Sequence, residues 1–134
     1  MAAKDVQSVN AMKEADSYPG TSVIVAYSHC IAHGYDMAFG IEHQKLATES
    51  GYWPLYRYDP RRADAGEAPL VLDSPLPKTD VGKLMAVESR FQLTAQQDAE
   101  RYKALVERAQ HQIQRRIALY TELAKNATPK PTAH

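Results

Sequence analysis

Cys30 is the one thiol in the chain, and three histidines, His29, His33 and His43, follow it or precede it within a short distance. A thiol among imidazoles can be a nucleophile activated by a base, a metal ligand, or a small buried apolar group. His29 is poorly placed as the base, because neighbours on an extended segment point to opposite sides. His33 is better placed, although no third group stands by to orient it. Cys30-x-x-His33 is half of a zinc signature, with His43 in range, but structural zinc takes four ligands and no second cysteine exists. All three readings stay open at this level.

Other chemistries leave weaker traces. Asp36, Glu42 and Glu49 fall on the polar side of a helical pattern and read as solvated carboxylates rather than an acid–base pair. There is no Gly-x-Gly-x-x-Gly and no phosphate-binding Walker loop. Arg61-Arg62 and Arg115-Arg116 read as surface charge, and Tyr52, Trp53, Tyr56 and Tyr58 as packing. Lysine plus arginine equals aspartate plus glutamate, 16 each, so no net field recruits nucleic acid or an anionic membrane. No apolar run approaches the roughly 18 residues that span a bilayer. No apolar leader opens the sequence and no second cysteine permits an internal disulfide, so a cytoplasmic protein is expected.

The elements that must position Cys30 follow from periodicity. Residues 4–17 carry Val6, Val9 and Met12 on one helical face, closed by Tyr18-Pro19-Gly20 because a residue before proline avoids the α region. Ser22 to Ser28 is a β-branched run. Val23, Ile24 and Val25 are consecutive, the pattern of a strand buried on both faces in a parallel sheet, with Ser28–Gly34 at its carboxyl end, where such sheets carry their sites. A helix leading into such a strand is half of a βαβ unit whose first strand would precede Met1. Tyr35 to Ser50 reads as a helix with Met37, Ile41, Leu46 and Ala47 as its apolar positions, stopped by Gly51. Tyr52 to Tyr58 reads as an edge strand delayed by Pro54. A proline-rich stretch follows, with Leu70-Val71-Leu72 as a brief apolar segment.

From Asp80 the pattern is helical. Leu84, Met85, Val87, Phe91 and Leu93 mark a short helix, and Thr94 with Gln97 resembles a capping box opening a much longer one. Tyr102, Val106, Ala109, Ile113, Ile117, Tyr120 and Ala124 recur at steps of three and four. Thirty residues at 1.5 Å each would reach about 45 Å, more than a domain this size requires. Residues 127–134 read as a frayed tail.

Three strings carry a resemblance. Glu14-Ala15-Asp16-Ser17-Tyr18-Pro19-Gly20, Val23-Ile24-Val25-Ala26-Tyr27-Ser28-His29-Cys30-Ile31-Ala32-His33-Gly34 and Gly51-Tyr52-Trp53-Pro54-Leu55-Tyr56-Arg57-Tyr58-Asp59-Pro60, with Leu72-Asp73-Ser74 later, resemble in order and spacing the carboxyl-terminal end of pyruvate:ferredoxin (flavodoxin) oxidoreductases. The resemblance runs from about residue 5 to about residue 125. It implies the second half of a thiamine-diphosphate-binding α/β domain, in an enzyme that oxidatively decarboxylates pyruvate to acetyl-CoA and passes electrons through [4Fe-4S] clusters to ferredoxin or flavodoxin. It further implies that Cys30 is the isolated fourth ligand of the cluster nearest the thiamine. His33 agrees with the family pattern, whereas His29 stands where a residue such as proline or threonine is expected. The Gly-Asp-Gly motif that holds magnesium and diphosphate is absent, as are the other cluster cysteines.

The expectation is therefore an α/β fold: a partial parallel sheet with flanking helices and a long carboxyl-terminal helix, residues 1–126 forming one portion of the thiamine-binding domain. Its partner would be the remainder of the oxidoreductase, with no nucleic acid and no membrane, and the isolated chain would be inactive. The rival readings are a non-catalytic interaction module and a small enzyme using Cys30 as nucleophile.

Overall fold

The computed structural model describes residues 3–126; the expected tail at 127–134 lies outside them. Six helices and one hairpin follow in order: α1 (Asp5–Ser17), α2 (Gly40–Glu49), β1 (Tyr56–Tyr58), α3 (Arg61–Asp64), β2 (Leu70–Leu72), α4 (Val81–Val87), α5 (Ser89–Gln97) and α6 (Ala99–Lys125). Two single 3-10 turns, Ile31–His33 and Met37–Phe39, precede α2.

The core lies between α4 and α6. Val81, Met85, Ile113 and Ile117 are buried against one another, with Tyr52, Phe91, Tyr102, Val106 and Ala109 packed around them. The steps of three and four along α6 thus bury the expected face. The helix runs 27 residues, about 40 Å. Its start differs from the expected capping box: Thr94 and Gln97 lie inside α5, and Asp98 opens α6 by accepting from the Arg101 amide at 2.9 Å. Asp98 is extended, φ −155°, so it breaks the helical run, and its carboxylate serves an amide the first turn leaves free.

The loop from α2 to β1 is fixed by Gly51, whose φ of +73° places it in the left-handed region. A Cβ there would meet Pro77 Cγ at 2.7 Å and Ile113 Cγ2 at 2.8 Å, so both conformation and space demand glycine. Arg116 Nη2 donates to the carbonyls of Gly51 and Tyr52 at 2.8 and 2.7 Å. Arg116 is therefore a bridge between α6 and this loop rather than free surface charge.

The sheet differs from the expectation. Among the described residues it has two strands, and β1 and β2 are antiparallel, with Tyr56 opposite Leu72 and Tyr58 opposite Leu70. Pro54 delays β1 to Tyr56, as its missing donor requires. The run Ser22–Ser28 is extended but unpaired. No backbone–backbone hydrogen bond among the described residues involves 21–29, and Val23, Ile24 and Val25 are 81, 53 and 72% exposed. The physical reason is partnership: a strand's amides and carbonyls need a neighbouring strand, and none of the described residues supplies one. The apolar side of α1 is bare for the same reason, with Val6, Val9 and Met12 exposed. Between α1, residues 21–27 and β1 lies a cleft of about 620 Å³.

Candidate functional site around Cys30

Cys30 is a free, half-buried thiol. Its backbone is extended, φ −147° and ψ 128°, and it caps the 3-10 turn Ile31–His33. Two anchors hold the loop. On the carboxyl side Gly34, at φ +70°, presents its carbonyl to Ser89 at the start of α5, accepting from the amide at 2.9 Å and from Oγ at 2.6 Å. On the amino side the His29 ring lies on Gly40, the first residue of α2: a Cβ on residue 40 would come within 1.8 Å of His29 Nε2. Gln44, one turn further along α2, donates its amide to the Tyr27 carbonyl at 3.2 Å and lies 3.3 Å from His29 Nδ1.

α2 consequently buries a different face from the one periodicity suggests. His43, Gln44, Ala47 and Thr48 point inward, while Ile41 is 54% exposed. Of the expected apolar positions only Ala47 is buried. The helix packs on the polar end of the Cys30 loop, and that contact outweighs the amphipathic pattern.

Beneath the loop sits a buried charge cluster. Glu88, the residue between α4 and α5, has no solvent exposure. One of its carboxylate oxygens lies 2.8 Å from His43 Nε2, and the other accepts from Arg90 Nε. Tyr35 stacks on His43 at 3.9 Å between ring centroids, and Tyr27 lies 5.3 Å from Trp53 and 6.0 Å from His33. Burial pushes the Tyr27 hydroxyl up to about 12, with Glu88 adding to the shift, and burial together with the Arg90 guanidinium lowers His33. A protein interior penalises whichever form is charged, and these shifts follow.

The structure brings His33 and His43 together as the sequence allowed, but with Glu88 in place of Cys30: one donor atom from each of the three lies within 4.8 Å of the others. Both oxygens of Glu88 are already engaged, and Arg90 supplies its compensating positive charge. A dication added there would sit beside a guanidinium with one carboxylate to balance both, so the set acts as a charge cluster supporting the loop. Among the described residues no hydrogen bond joins the Cys30 thiol to an imidazole, and His29 Nδ1 and His43 Nε2 face Gln44 and Glu88 instead. Asp36, Glu42 and Glu49 are exposed as expected. Sequence reading passed over Glu88, Ser89 and Gly40; a charged residue breaking the helical run at Val87-Glu88-Ser89 was the available signal.

Arg61 and Arg62 fold back locally. Arg61 Nε and Nη2 grip Asp59, Nη1 reaches the Ser17 carbonyl at 2.9 Å, and Arg62 pairs with Glu67 at 2.8 Å. Tyr56 packs on Tyr120 of α6 at 5.1 Å. No described helix is long and apolar enough to cross a membrane.

No protein-family model matches the chain. Individual relatives do. The chain is 51% identical over 122 residues to a pyruvate-flavodoxin oxidoreductase of Rhodospirillum rubrum, 91% of this chain and 10% of that protein. It is 46% identical over 127 residues to a putative pyruvate-flavodoxin oxidoreductase of Synechocystis sp., 95% of this chain and 11% of that protein. It is 36% identical over 125 residues to a pyruvate:ferredoxin oxidoreductase of Moorella thermoacetica, 93% of this chain and 11% of that protein. The chain thus spans about a tenth of the length of the relatives it matches. Over nine-tenths of its own length, this chain is a homologue of one segment of the pyruvate-flavodoxin and pyruvate:ferredoxin oxidoreductases.

Proposed function

We propose that this chain is the carboxyl-terminal part of the thiamine-diphosphate-binding domain of a pyruvate:ferredoxin (flavodoxin) oxidoreductase, and that Cys30 supplies one ligand of its [4Fe-4S] cluster nearest the thiamine. One observation carries the reading: a homologous segment ends an unpaired, apolar, extended run in a single half-buried thiol held at both flanks. The donor set fits a share of the cluster and not the whole. A lone thiolate is the right ligand type, and the other ligands would come from outside this segment.

The remainder of the enzyme would supply the strands beside Ser22–Ser28, completing a parallel sheet, and would cover α1 and the cleft above β1. Edge strands and apolar faces left bare here are what such a partner would bury. Thiamine diphosphate with magnesium would supply the electron sink for decarboxylation, and the clusters would carry electrons onward to ferredoxin or flavodoxin. This chain's own residues would position a thiolate and exclude water behind it, so the chain alone would be inactive.

The test is Cys30→Ala in the assembled oxidoreductase, with iron content and electron paramagnetic resonance of the reduced enzyme as readouts. Loss of one cluster's signal, with the others retained, is the expected result. A full complement of cluster signals in that variant sinks the reading.

A further inference from the structure

We infer that His29 is a positioning residue for Cys30, locked by a notch that only glycine can form at position 40. The inference rests on the reading above for what the Cys30 sulfur binds, but not for how the sulfur is held.

The geometry is specific. His29 and Cys30 are adjacent in the chain, so fixing the imidazole fixes the backbone one peptide before the thiol. The ring occupies the space that any side chain at residue 40 would take, within 1.8 Å of Nε2 and 1.9 Å of Cδ2 of His29. Gly40 is itself buried and ordinary in conformation, φ −61°, so its glycine is required by the neighbour and not by the backbone. Gln44 completes the lock: it is 5% exposed, and its amide holds both the Tyr27 carbonyl and the ring nitrogen of His29. Four residues beyond Cys30 the Gly34–Ser89 contact fixes the other end. Between these anchors the residues Cys30 to His33 close on themselves, the His33 amide donating to the Cys30 carbonyl at 3.1 Å. The direction and solvent access of Sγ are set by the two anchors, since among the described residues the exposed segment on the amino side, residues 21–26, makes no backbone–backbone hydrogen bond.

The test reads the thiol directly and uses no iron. In the 134-residue chain, the alkylation rate of Cys30 by iodoacetamide is compared in the parent, Gly40→Ala, His29→Ala and His29→Gln. Gly40→Ala must expel the ring, an overpacking whose strain corresponds to an opening of the loop and an alkylation rate raised about ten- to a hundredfold. His29→Ala raises the rate to a similar degree, and His29→Gln, which keeps a polar partner for Gln44, restores most of the protection. Melts followed by circular dichroism separate loop opening from global unfolding. Should a variant unfold, the same comparison is run in the assembled oxidoreductase, where the reduction potential of the cluster that Cys30 joins shifts in Gly40→Ala while iron content stays at the parent level. Parent-level alkylation in folded Gly40→Ala and His29→Ala chains, or an unshifted potential in the assembled variant, overturns the positioning role. Cluster retention in Cys30→Ala would overturn the ligand assignment alone and leave the alkylation pattern untouched.

Discussion

Arg57 and Asp73 face each other across the hairpin as a two-pronged ion pair, Nε to Oδ2 at 2.9 Å and Nη2 to Oδ1 at 3.0 Å. The remaining prong of Arg57 reaches Glu14 on α1, and Asp73 also takes Gln7 at 3.2 Å and, through its carbonyl, Lys4 at 3.0 Å. Hydrogen bonding to Asp73 holds the guanidinium well above its ordinary range. α1 buries no residue of its own, so this network, with Arg61 on Ser17 and Ser22 on Ala15, is what attaches it.

Arg57→Ala should therefore release α1 while leaving the α4–α6 core intact. Amide exchange along 5–17 accelerates about tenfold or more, in keeping with the loss of charged hydrogen bonds of about 1.5–3 kcal/mol. Exchange in α6 stays at the parent level. Uniform acceleration across both helices would show that the network serves the whole fold.

The half-buried imidazole of His33 gives stability a defined dependence on pH. Burial and Arg90 lower its folded value below 6.5, so between the two values the unfolded chain binds more protons than the folded one. Its contribution is complete above about pH 6.5 and is lost as pH falls below that value towards the folded one. Urea midpoints at pH 7.5 and pH 5 measure the loss, and His33→Gln should reduce the difference. Tyr27 acts at the other end: held at about 12 in the fold, it weakens the folded state as pH rises from 10 towards 12. Tyr27→Phe removes the latest phenolic transition seen at 295 nm, and an unchanged titration curve would contradict its burial.

The bare run at Val23–Val25 should make the isolated chain self-associate, because unpaired amides flanked by apolar side chains are a template for another strand. Light scattering behind size exclusion should show oligomers, and Ile24→Lys should shift the chain towards monomer without altering the helical circular dichroism. A clean monomer in the parent would mean that the run is protected by some other contact.

Much of the helical layer was legible in the sequence. Tyr102, Val106, Ala109, Ile113 and Ile117 form the face of α6 that their spacing announces, and Gly51 stops α2 where a residue tolerating positive φ was required. Pro54 set the late start of β1. What the sequence could not convey was anything fixed by tertiary partners. The run at 22–28 has every local property of a buried strand, but burial depends on neighbours that the described residues do not provide. Nothing local marks Glu88, since only the approach of His43 from 45 positions away, together with Arg90, makes a buried carboxylate tolerable. The Gln44 and His43 side of α2 outcompeted its apolar positions for the same reason. Cys30 was found by its type, its place after the β-branched run and the resemblance, whereas its anchors, Gly40 and Ser89, were not.

The contact between Ser89 and Gly34 joins residues 55 positions apart, and that separation has a consequence for biosynthesis. During translation the cysteine leaves the ribosome well before the helix that steadies it has been made. Until α5 exists, one end of the thiol's loop is untethered and the carboxylate behind it has not arrived. Any cofactor that depends on this sulfur being held must therefore be loaded after α5 has been made, so the thiol waits with one end of its loop untethered through part of the chain's synthesis.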